Sequence, residues 1–283
     1  MKRAIVSGAN SGIGKITAME LSKKGFEVIL ACRNIEKGKR AIADILKVHS
    51  EAKLELLVLD LGEQDAIDQF AEHFYERYDS LDLLVNNAGI WSSERNENSK
   101  GFESMFAVNH LGSLYLTYKM LPALLKRNTE GPSARIVNVS SNAHRWAGSD
   151  FSDLQWTRRS WSSKNAYGFS KMANIWFTKS LAQRLPSHVT VNALHPGVIS
   201  TNLGDGLVGT FFKLASPFLK TPEQGAQTQI FLSSSIEVEG KSGGYYADKK
   251  EKEPNRLARD AQLAEKMWKI SNALLEISFE DNL

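Results

Sequence analysis

Apolar residues along the chain fall into short runs that alternate with longer segments of helical spacing. Six runs have the length and the β-branched or aliphatic character of buried strands: residues 2–7, 26–32, 54–59, 81–85, 135–139 and 189–194. A seventh, short strand is predicted at residues 243–246 (GGYY). Helical spacing predicts helices at residues 64–78, 100–125, 165–185, 222–233 and 254–277. Such alternation favours an α/β protein with a doubly wound, mostly parallel sheet and helices on both faces.

A glycine-rich segment, residues 7–14 (SGANSGIG), separates the first strand from a helical pattern that ends near Gly25. A turn of this kind between a strand and a helix is typical of a dinucleotide-binding site. Glycine lets the backbone approach the pyrophosphate, and the helix N-terminus offers free amide groups. The candidate phosphate-binding residues are Gly8, Asn10, Ser11, Gly12, Ile13 and Gly14.

The residues that end the second strand predict which nicotinamide cofactor is bound. A carboxylate there would hydrogen-bond the ribose hydroxyls of NAD, but this chain has Cys32, Arg33 and Asn34. A guanidinium without a neighbouring acid suits the 2′-phosphate of NADP, and Lys15 would add positive charge. NADP(H) is therefore expected over NAD(H); the alternative is that Arg33 is only a solvated loop residue.

Two residues four positions apart, Tyr167 and Lys171, lie in the predicted helix 165–185 and project from one face. A nearby ammonium favours the phenolate, so we expect the pKa of the tyrosine to fall below its usual value of ~10. Such a tyrosine can exchange a proton with an alcohol oxygen. Taken alone, the pair is far more typical of an exposed tyrosine and lysine on an ordinary helix, so its meaning depends on the other motifs.

Composition narrows the class of protein. The apolar fraction of 42% supports a sizeable core, and the net charge of +3 comes from scattered residues, so nucleic-acid binding is not expected. One cysteine, Cys32, fits a reducing compartment. We find no signal peptide, membrane-spanning segment, repeat or linker, which predicts one cytoplasmic domain over residues 1–283.

Two segments leave their roles open. The loop between Ser141 and Tyr167 carries Trp146, Trp156 and Trp161, which would either line a cleft for a flat apolar substrate or pin the loop to the body. Residues 203–219 are apolar and punctuated by glycine, and they include Phe211, Phe212 and Phe218. They would form a substrate lid, a core or subunit-contact helix, or a membrane-surface patch.

Together these motifs resemble the short-chain dehydrogenase/reductase family over nearly the whole chain. The likeness rests on the glycine-rich turn, on residues 86–89 (NNAG), on the turn at residues 195–197 (HPG) and on a catalytic tetrad: Asn109, Ser141, Tyr167 and Lys171. Residues 31–34, 194–198 and 242–246 and the lengthened loop before Tyr167 resemble the retinol dehydrogenase-like branch. The resemblance implies a Rossmann-type sheet of seven strands in the order 3-2-1-4-5-6-7.

The resemblance also implies a site and an activity. The expected cofactor contacts beyond the glycine-rich turn are Arg33, Asn34, Asp60, Leu61, Asn87, Ala88, Gly89, Tyr167, Lys171, Pro196, Gly197, Val198 and Thr201. Ser141 would bind the substrate oxygen, Tyr167 would donate the proton, Lys171 would lower the tyrosine pKa and bond the ribose, and Asn109 would hold a relay water. The implied enzyme is an NADP-dependent alcohol dehydrogenase or carbonyl reductase that uses no metal.

The expected substrate is a small hydrophobic alcohol, aldehyde or ketone, retinal-like or otherwise apolar. Two other classes of function remain open: a catalytically idle NADP-binding sensor or scaffold, and a peripheral lipid-surface protein that uses the phenylalanines of residues 203–219. Two outcomes stay open for oligomerisation: a homodimer that pairs helices 100–125 and 165–185 across a two-fold axis, or a C-terminal helix that blocks this pairing.

Overall fold

The computed structural model describes residues 1–126, 131, 133–198 and 220–283. Within these ranges the backbone forms one sheet of eight strands in the order 3-2-1-4-5-6-7-8. The strands are β1 (Lys2–Ser7), β2 (Phe26–Cys32), β3 (Leu54–Val58), β4 (Leu83–Asn86), β5 (Ala134–Val139), β6 (Val189–His195), β7 (Tyr245–Ala247) and β8 (Lys250–Glu251). The parallel order of β1 to β7 is the predicted one.

The predicted number of seven strands is wrong by one, because β8 pairs antiparallel with β7 at the edge of the sheet. The two strands are joined by Asp248 and Lys249, whose φ angles of 50° and 60° are typical of a tight two-residue hairpin turn. Both residues of β8 are exposed, so no apolar run marks the strand in the sequence.

Helices cover both faces of the sheet. They are α1 (Gly12–Lys23), α2 (Ile35–Val48), α3 (Gln64–Tyr75), α4 (Ser104–Phe106), α5 (Gly112–Leu125), α6 (Ser163–Ala182), α7 (Pro222–Ser234), α8 (Arg256–Arg259) and α9 (Ala261–Leu275). The core on one face is built with side chains of α1, α2 and α7, and the core on the other with side chains of α3, α5, α6 and α9. Helix α2 is absent from the predicted helices because it buries only Gly38, Ala41 and Ile45.

The predicted helix 100–125 begins later and is not uniform. Gly101 has a φ of +76°, and the buried Glu103 carboxylate accepts hydrogen bonds from the amides of Met105 and Phe106 at 2.8 Å each, which starts the helix at Ser104. Residues Ala107–Leu111 then form a π-helical turn before α5 continues. A π-turn displaces the regular backbone hydrogen bonds, and such turns are frequent at functional sites.

The predicted C-terminal helix 254–277 is divided into α8 and α9 at Asp260, whose carboxylate accepts hydrogen bonds from the amides of Gln262 and Leu263. Helix α9 packs on α6, with the Trp268 ring stacked 6.2 Å from the Phe177 ring. A following turn places Phe279 5.3 Å from Tyr118 of α5. The C-terminal segment thus packs against α5 and α6, the two helices named for the expected homodimer.

Three predictions fall outside the described residues: the substrate loop at 203–219, its phenylalanines Phe211, Phe212 and Phe218, and the cofactor contact Thr201. Among the helices of the described ranges, none combines the length and the apolar character that crossing a bilayer requires.

Candidate active site

The glycine-rich turn brings the backbone of β1 against the segment that follows β4. Gly8 has a φ of +67°, and a Cβ on Gly14 would lie 2.5 Å from both the Gly8 carbonyl oxygen and the Asn87 side-chain nitrogen. No larger residue fits at Gly14 without moving the backbone. Ser11 precedes α1, and no side chain caps the first turn of that helix. The first-turn amides and the helix dipole therefore fit an anionic pyrophosphate.

Ser7 connects the end of β1 to the segment that follows β4. Its buried hydroxyl accepts hydrogen bonds from the amides of Asn87 and Ala88, both at 3.0 Å, and its carbonyl accepts one from the Asn87 side chain at 2.8 Å. A hydroxyl at the end of β1 thus fixes the chain that follows β4. The predicted residues Asn87, Ala88 and Gly89 are in this way held next to the glycine-rich turn.

At the ends of β2 and β3, Arg33 and Asp60 face each other. The Arg33 side chain is 77% exposed, and its Nη1 lies 3.7 Å from an Asp60 carboxylate oxygen. Asn34 caps α2 by accepting the Lys37 amide at 2.8 Å. The Lys15 ammonium is paired with Asp44 at 3.0 Å, so the extra positive charge expected from Lys15 is already compensated. Of the two cations, Arg33 is consequently the one whose charged group is more exposed and less closely paired.

The Leu61 side chain is 5% exposed and packs in the core, so only its backbone can face a ligand. The turn after β6 brings Pro196, Gly197 and Val198 to the same edge of the sheet, and Gly197 has a φ of +99°. Lys220, which resumes the described chain, donates its amide to the Val198 carbonyl at 3.0 Å. These residues are held at the carboxyl edge, where doubly wound folds bind ligands.

The four predicted tetrad residues lie close together, and a Cβ on Gly89 would come within 3.2 Å of the Asn109 side-chain oxygen. Ser141 follows β5, and Tyr167 and Lys171 lie on neighbouring turns of α6. The Lys171 ammonium lies 5.7 Å from the centroid of the Tyr167 ring and donates to the Val139 carbonyl at 3.1 Å. A Cβ on Gly89 would approach that ammonium to 3.1 Å, so glycine keeps the chain after β4 close to it.

Burial dominates the pKa values of the pair. It raises the pKa of Tyr167 to about 12, against a hydrogen bond with Ser141 that lowers it. Burial also lowers the pKa of Lys171 to about 8. The expectation that the ammonium brings the tyrosine pKa below ~10 is therefore wrong for the protein alone, because desolvation disfavours both charged forms.

Asn109 lies in the π-turn, and its side chain is used as a brace. Its Oδ1 accepts the Ile90 amide at 2.7 Å, and its Nδ2 donates to the Ile90 carbonyl at 3.0 Å and to the Ser170 hydroxyl at 3.0 Å. The side chain thereby joins the chain after Gly89 to α6. Its role as holder of a relay water stays a prediction.

Asn174, one turn beyond Lys171, is a site residue that the sequence reasoning missed. Its amide donates to the Asn109 carbonyl at 2.9 Å and to the Val139 carbonyl, the acceptor of Lys171, at 3.4 Å. It is 2% exposed, and an asparagine at this depth in an apolar helix is costly without partners. A polar residue in an apolar helix, three residues after Lys171, was the sequence signal that could have identified Asn174.

In the loop between Ser141 and Tyr167, two of the three tryptophans pack together and one is largely exposed. Trp156 is 8% exposed and packs edge-on to Trp161 at 5.5 Å, in a cluster that includes Met105 and Ala166 and contacts Tyr167. Trp146 is 47% exposed. Two tryptophans thus pin the loop. A further aromatic residue, Trp91, lies 4.9 Å from the Tyr167 ring and was also missed.

Residues 2–208 match the family model described as short chain dehydrogenase. The chain is 40% identical over 282 residues to retinol dehydrogenase 12 of Mus musculus, covering 99% of this chain and 88% of that protein. It is also 40% identical to retinol dehydrogenase 14 of Homo sapiens, covering 97% of this chain and 86% of that one. The chain therefore belongs to the short-chain dehydrogenase family of oxidoreductases and is retinol dehydrogenase-like.

Solved structures agree with this assignment. A protein from Mycobacterium paratuberculosis superposes with a TM-score of 0.79 at 30% identity, covering 99% of this chain and 95% of that one. A short chain dehydrogenase from Shigella flexneri in complex with NADP gives a TM-score of 0.67 at 25% identity, covering 86% and 95%. A related Escherichia coli protein in complex with NADPH gives 0.67 at 25% identity, covering 87% and 95%. A nicotinamide cofactor thus accompanies this fold.

Proposed function

We propose that the protein is an NADP(H)-dependent oxidoreductase that interconverts an apolar alcohol and its aldehyde or ketone. The observation that carries this proposal is the meeting of Ser141, Tyr167 and Lys171 beside Gly89, at the same sheet edge as the glycine-rich turn. The residues that could donate a proton to a carbonyl oxygen thus lie at the same sheet edge as the turn that could bind a dinucleotide. The whole chain, residues 1–283, would act as one cofactor-binding domain.

Arg33 supports NADP(H) as the cofactor. Its exposed guanidinium follows β2, where the second ribose of a bound dinucleotide is expected, and the two residues directly after the strand, Arg33 and Asn34, carry no carboxylate. Asp60 lies 3.7 Å away and partly balances Arg33 in the protein alone, at a distance that leaves the guanidinium free to bind phosphate. When bound, the cofactor would supply or accept the hydride.

The chain's own residues would handle the proton and the oxygen. With a pKa of about 12, Tyr167 holds its proton at neutral pH, which suits it to donate to the carbonyl oxygen during reduction. Ser141 would hydrogen-bond the same oxygen as negative charge grows there. Lys171, with a pKa of about 8, is largely a cation at neutral pH and would stabilise the phenolate that remains after proton transfer.

The surroundings of Tyr167 support an apolar substrate. Trp91 contacts its ring, and the cluster next to it is formed by Met105, Trp156 and Ala166 with Ile90 and Trp161. Aromatic and apolar side chains packed beside the Tyr167 ring favour flat hydrophobic carbonyl compounds over charged ones. Two of the relatives bear the name retinol dehydrogenase, so a retinal-like aldehyde belongs in the substrate panel.

The substitution Tyr167→Phe tests the function, because it removes the proton donor and keeps the ring contacts. We expect NADPH affinity to be retained and reduction of the fastest aldehyde in a panel of aromatic and isoprenoid aldehydes to fall by about 10²- to 10⁴-fold. The assay follows NADPH absorbance. A wild-type protein that binds NADPH and reduces no member would favour the sensor or scaffold, and unchanged turnover in the variant would rule out Tyr167 as the donor.

A further inference from the structure

Two imidazoles hold the two ends of one peptide group at the site. The peptide group joins Ser141 to Asn142: its carbonyl oxygen lies 2.7 Å from Nδ1 of His144, and its amide donates to Nδ1 of His195 at 3.2 Å. Both histidines are buried, at 0% and 8% exposure. Neither was among the predicted site residues, although His195 lies in the 195–197 turn.

The partners assign a different neutral tautomer to each imidazole. Nδ1 of His144 faces a carbonyl oxygen, so it carries the proton, and its Nε2 accepts the Asn255 amide at 3.2 Å. Nδ1 of His195 receives an amide proton, so it is the unprotonated nitrogen. Burial, together with the Lys220 charge, lowers the pKa of His195 to about 4, and burial also lowers the pKa of His144. The rings stay neutral and keep these roles near pH 7.

The two histidines are themselves held by other elements. His195 ends β6 and pairs with Ala247 of β7, so its position is set by the sheet. Asn255, which caps α8, donates its side-chain amide to the His144 carbonyl at 3.1 Å as well as its backbone amide to the ring. The peptide group after Ser141 is thus braced by the sheet on one side and by the C-terminal segment on the other.

We propose that His144 and His195 are positioning residues that fix the orientation of the Ser141 hydroxyl by holding the Ser141–Asn142 peptide group at both ends. The inference rests on the proposed function, in which Ser141 binds the carbonyl oxygen. A hydroxyl acts on a developing charge only when its oxygen is held at hydrogen-bond distance, and a shift of about 1 Å costs about 100-fold in rate. The Ser141 oxygen itself accepts the Ala143 amide at 3.2 Å, and the two imidazole hydrogen bonds on the adjoining peptide further limit such a shift.

The test replaces each histidine first by asparagine and then by glutamine, whose side-chain amides reach different positions. Asparagine places an amide atom where Nδ1 of the imidazole lies, whereas glutamine places its amide near Nε2 and removes the side-chain hydrogen bond to the peptide group. The Ser141 carbonyl keeps its hydrogen bond from the backbone amide of residue 144 at 3.1 Å in either variant. We expect His195→Gln and His144→Gln to lower kcat by about 10- to 100-fold with the Kd for NADPH unchanged. His195→Asn and His144→Asn should stay close to wild type. His188→Gln is the control, because the His188 ring bonds the Leu125 carbonyl, away from the Ser141–Asn142 peptide group.

A double-mutant cycle with Ser141→Ala separates positioning from general damage. If the histidines act through the serine hydroxyl, each glutamine variant should cost nothing further once that hydroxyl is gone. Equal kcat for the asparagine and glutamine variants, or the same loss in the Ser141→Ala background, would overturn the proposal. Wild-type kcat for Ser141→Ala alone would instead overturn the role of Ser141 in the proposed function. Melting temperatures and NADPH affinity verify that each variant is folded.

Discussion

Lys171 points its ammonium toward the Tyr167 ring, 5.7 Å from the ring centroid, and donates to the carbonyl of Val139. Lys171 is buried and Tyr167 is half-buried, so each loses part of the water that would stabilise its charge. Burial gives a neutral phenol with a pKa of about 12 and an amine with a pKa of about 8. In the protein alone the pair is therefore set for proton donation, with the lysine as its more readily titrated member.

This difference predicts a pH dependence of reduction. Below a pH of about 8 Lys171 carries its proton, and it loses the charge as the pH rises through that value. Tyr167 keeps its proton across the same range. We expect kcat/KM for aldehyde reduction to fall above pH ~8, since kcat/KM reports groups of the free enzyme.

The matched variant is Lys171→Arg, because a guanidinium stays charged at every pH used. Its kcat/KM should be lower than that of the wild type and level through this range. A decline in the arginine variant with the same midpoint would assign the titration to another group.

Cofactor preference should follow Arg33. Charge-assisted hydrogen bonds to a phosphate contribute about 1.5–3 kcal/mol, so Arg33→Ala should weaken NADPH binding by about 10- to 100-fold. NADH lacks the 2′-phosphate, and its affinity should stay constant or rise. Titration of protein fluorescence with both cofactors measures the ratio.

Lys39→Ala is the control for Arg33→Ala, since Lys39 is an exposed cation of α2 that is paired with Glu36 at 3.2 Å. It should leave the NADPH to NADH ratio at the wild-type value. A ratio that does not respond to Arg33→Ala would mean that the 2′-phosphate is bound elsewhere.

Much of this site could be predicted from residue order, because parallel strands bring their carboxyl ends to one edge. Ser7, Arg33, Asn87 and Ser141 lie there as the strand pattern predicts. Strand β8 could not be predicted, since it depends on a turn and has no apolar run. The pKa directions could not be predicted either, because they depend on how much water α6 and its neighbours exclude.

The packing at Gly14 predicts a loss of both stability and cofactor binding in Gly14→Ala. The added methyl would overlap the Gly8 carbonyl and the Asn87 side chain, each 2.5 Å away. Overpacking of this kind typically costs about 1–3 kcal/mol, and the displaced turn would no longer fit a pyrophosphate. We expect a lower melting temperature and weaker NADPH binding. Gly148→Ala should change neither, because in the described part of the chain its added methyl would lie more than 4 Å from every residue except its chain neighbours.

His110 predicts how stability depends on acid. It is 1% exposed, with Nδ1 3.3 Å from Oδ1 of Asn174 and Nε2 2.8 Å from the Ser271 hydroxyl, and burial lowers its pKa to about 4. An unfolded histidine has a pKa of ~6.5, so between these values the unfolded chain binds a proton that the folded chain does not. Stability must therefore fall as the pH falls from about 6.5 to about 4.

His195, with a pKa of about 4, adds to the same slope, so His110→Gln should reduce the slope without abolishing it. We expect the free energy of unfolding of this variant to depend less on pH in that window, by about 1.4 kcal/mol per pH unit. Urea denaturation at several pH values measures both slopes. At pH ~8 the imidazole is neutral in both states, so the difference there gives the packing cost alone. Parallel slopes for the two proteins would show that His110 is protonated in the folded state as readily as in the unfolded chain.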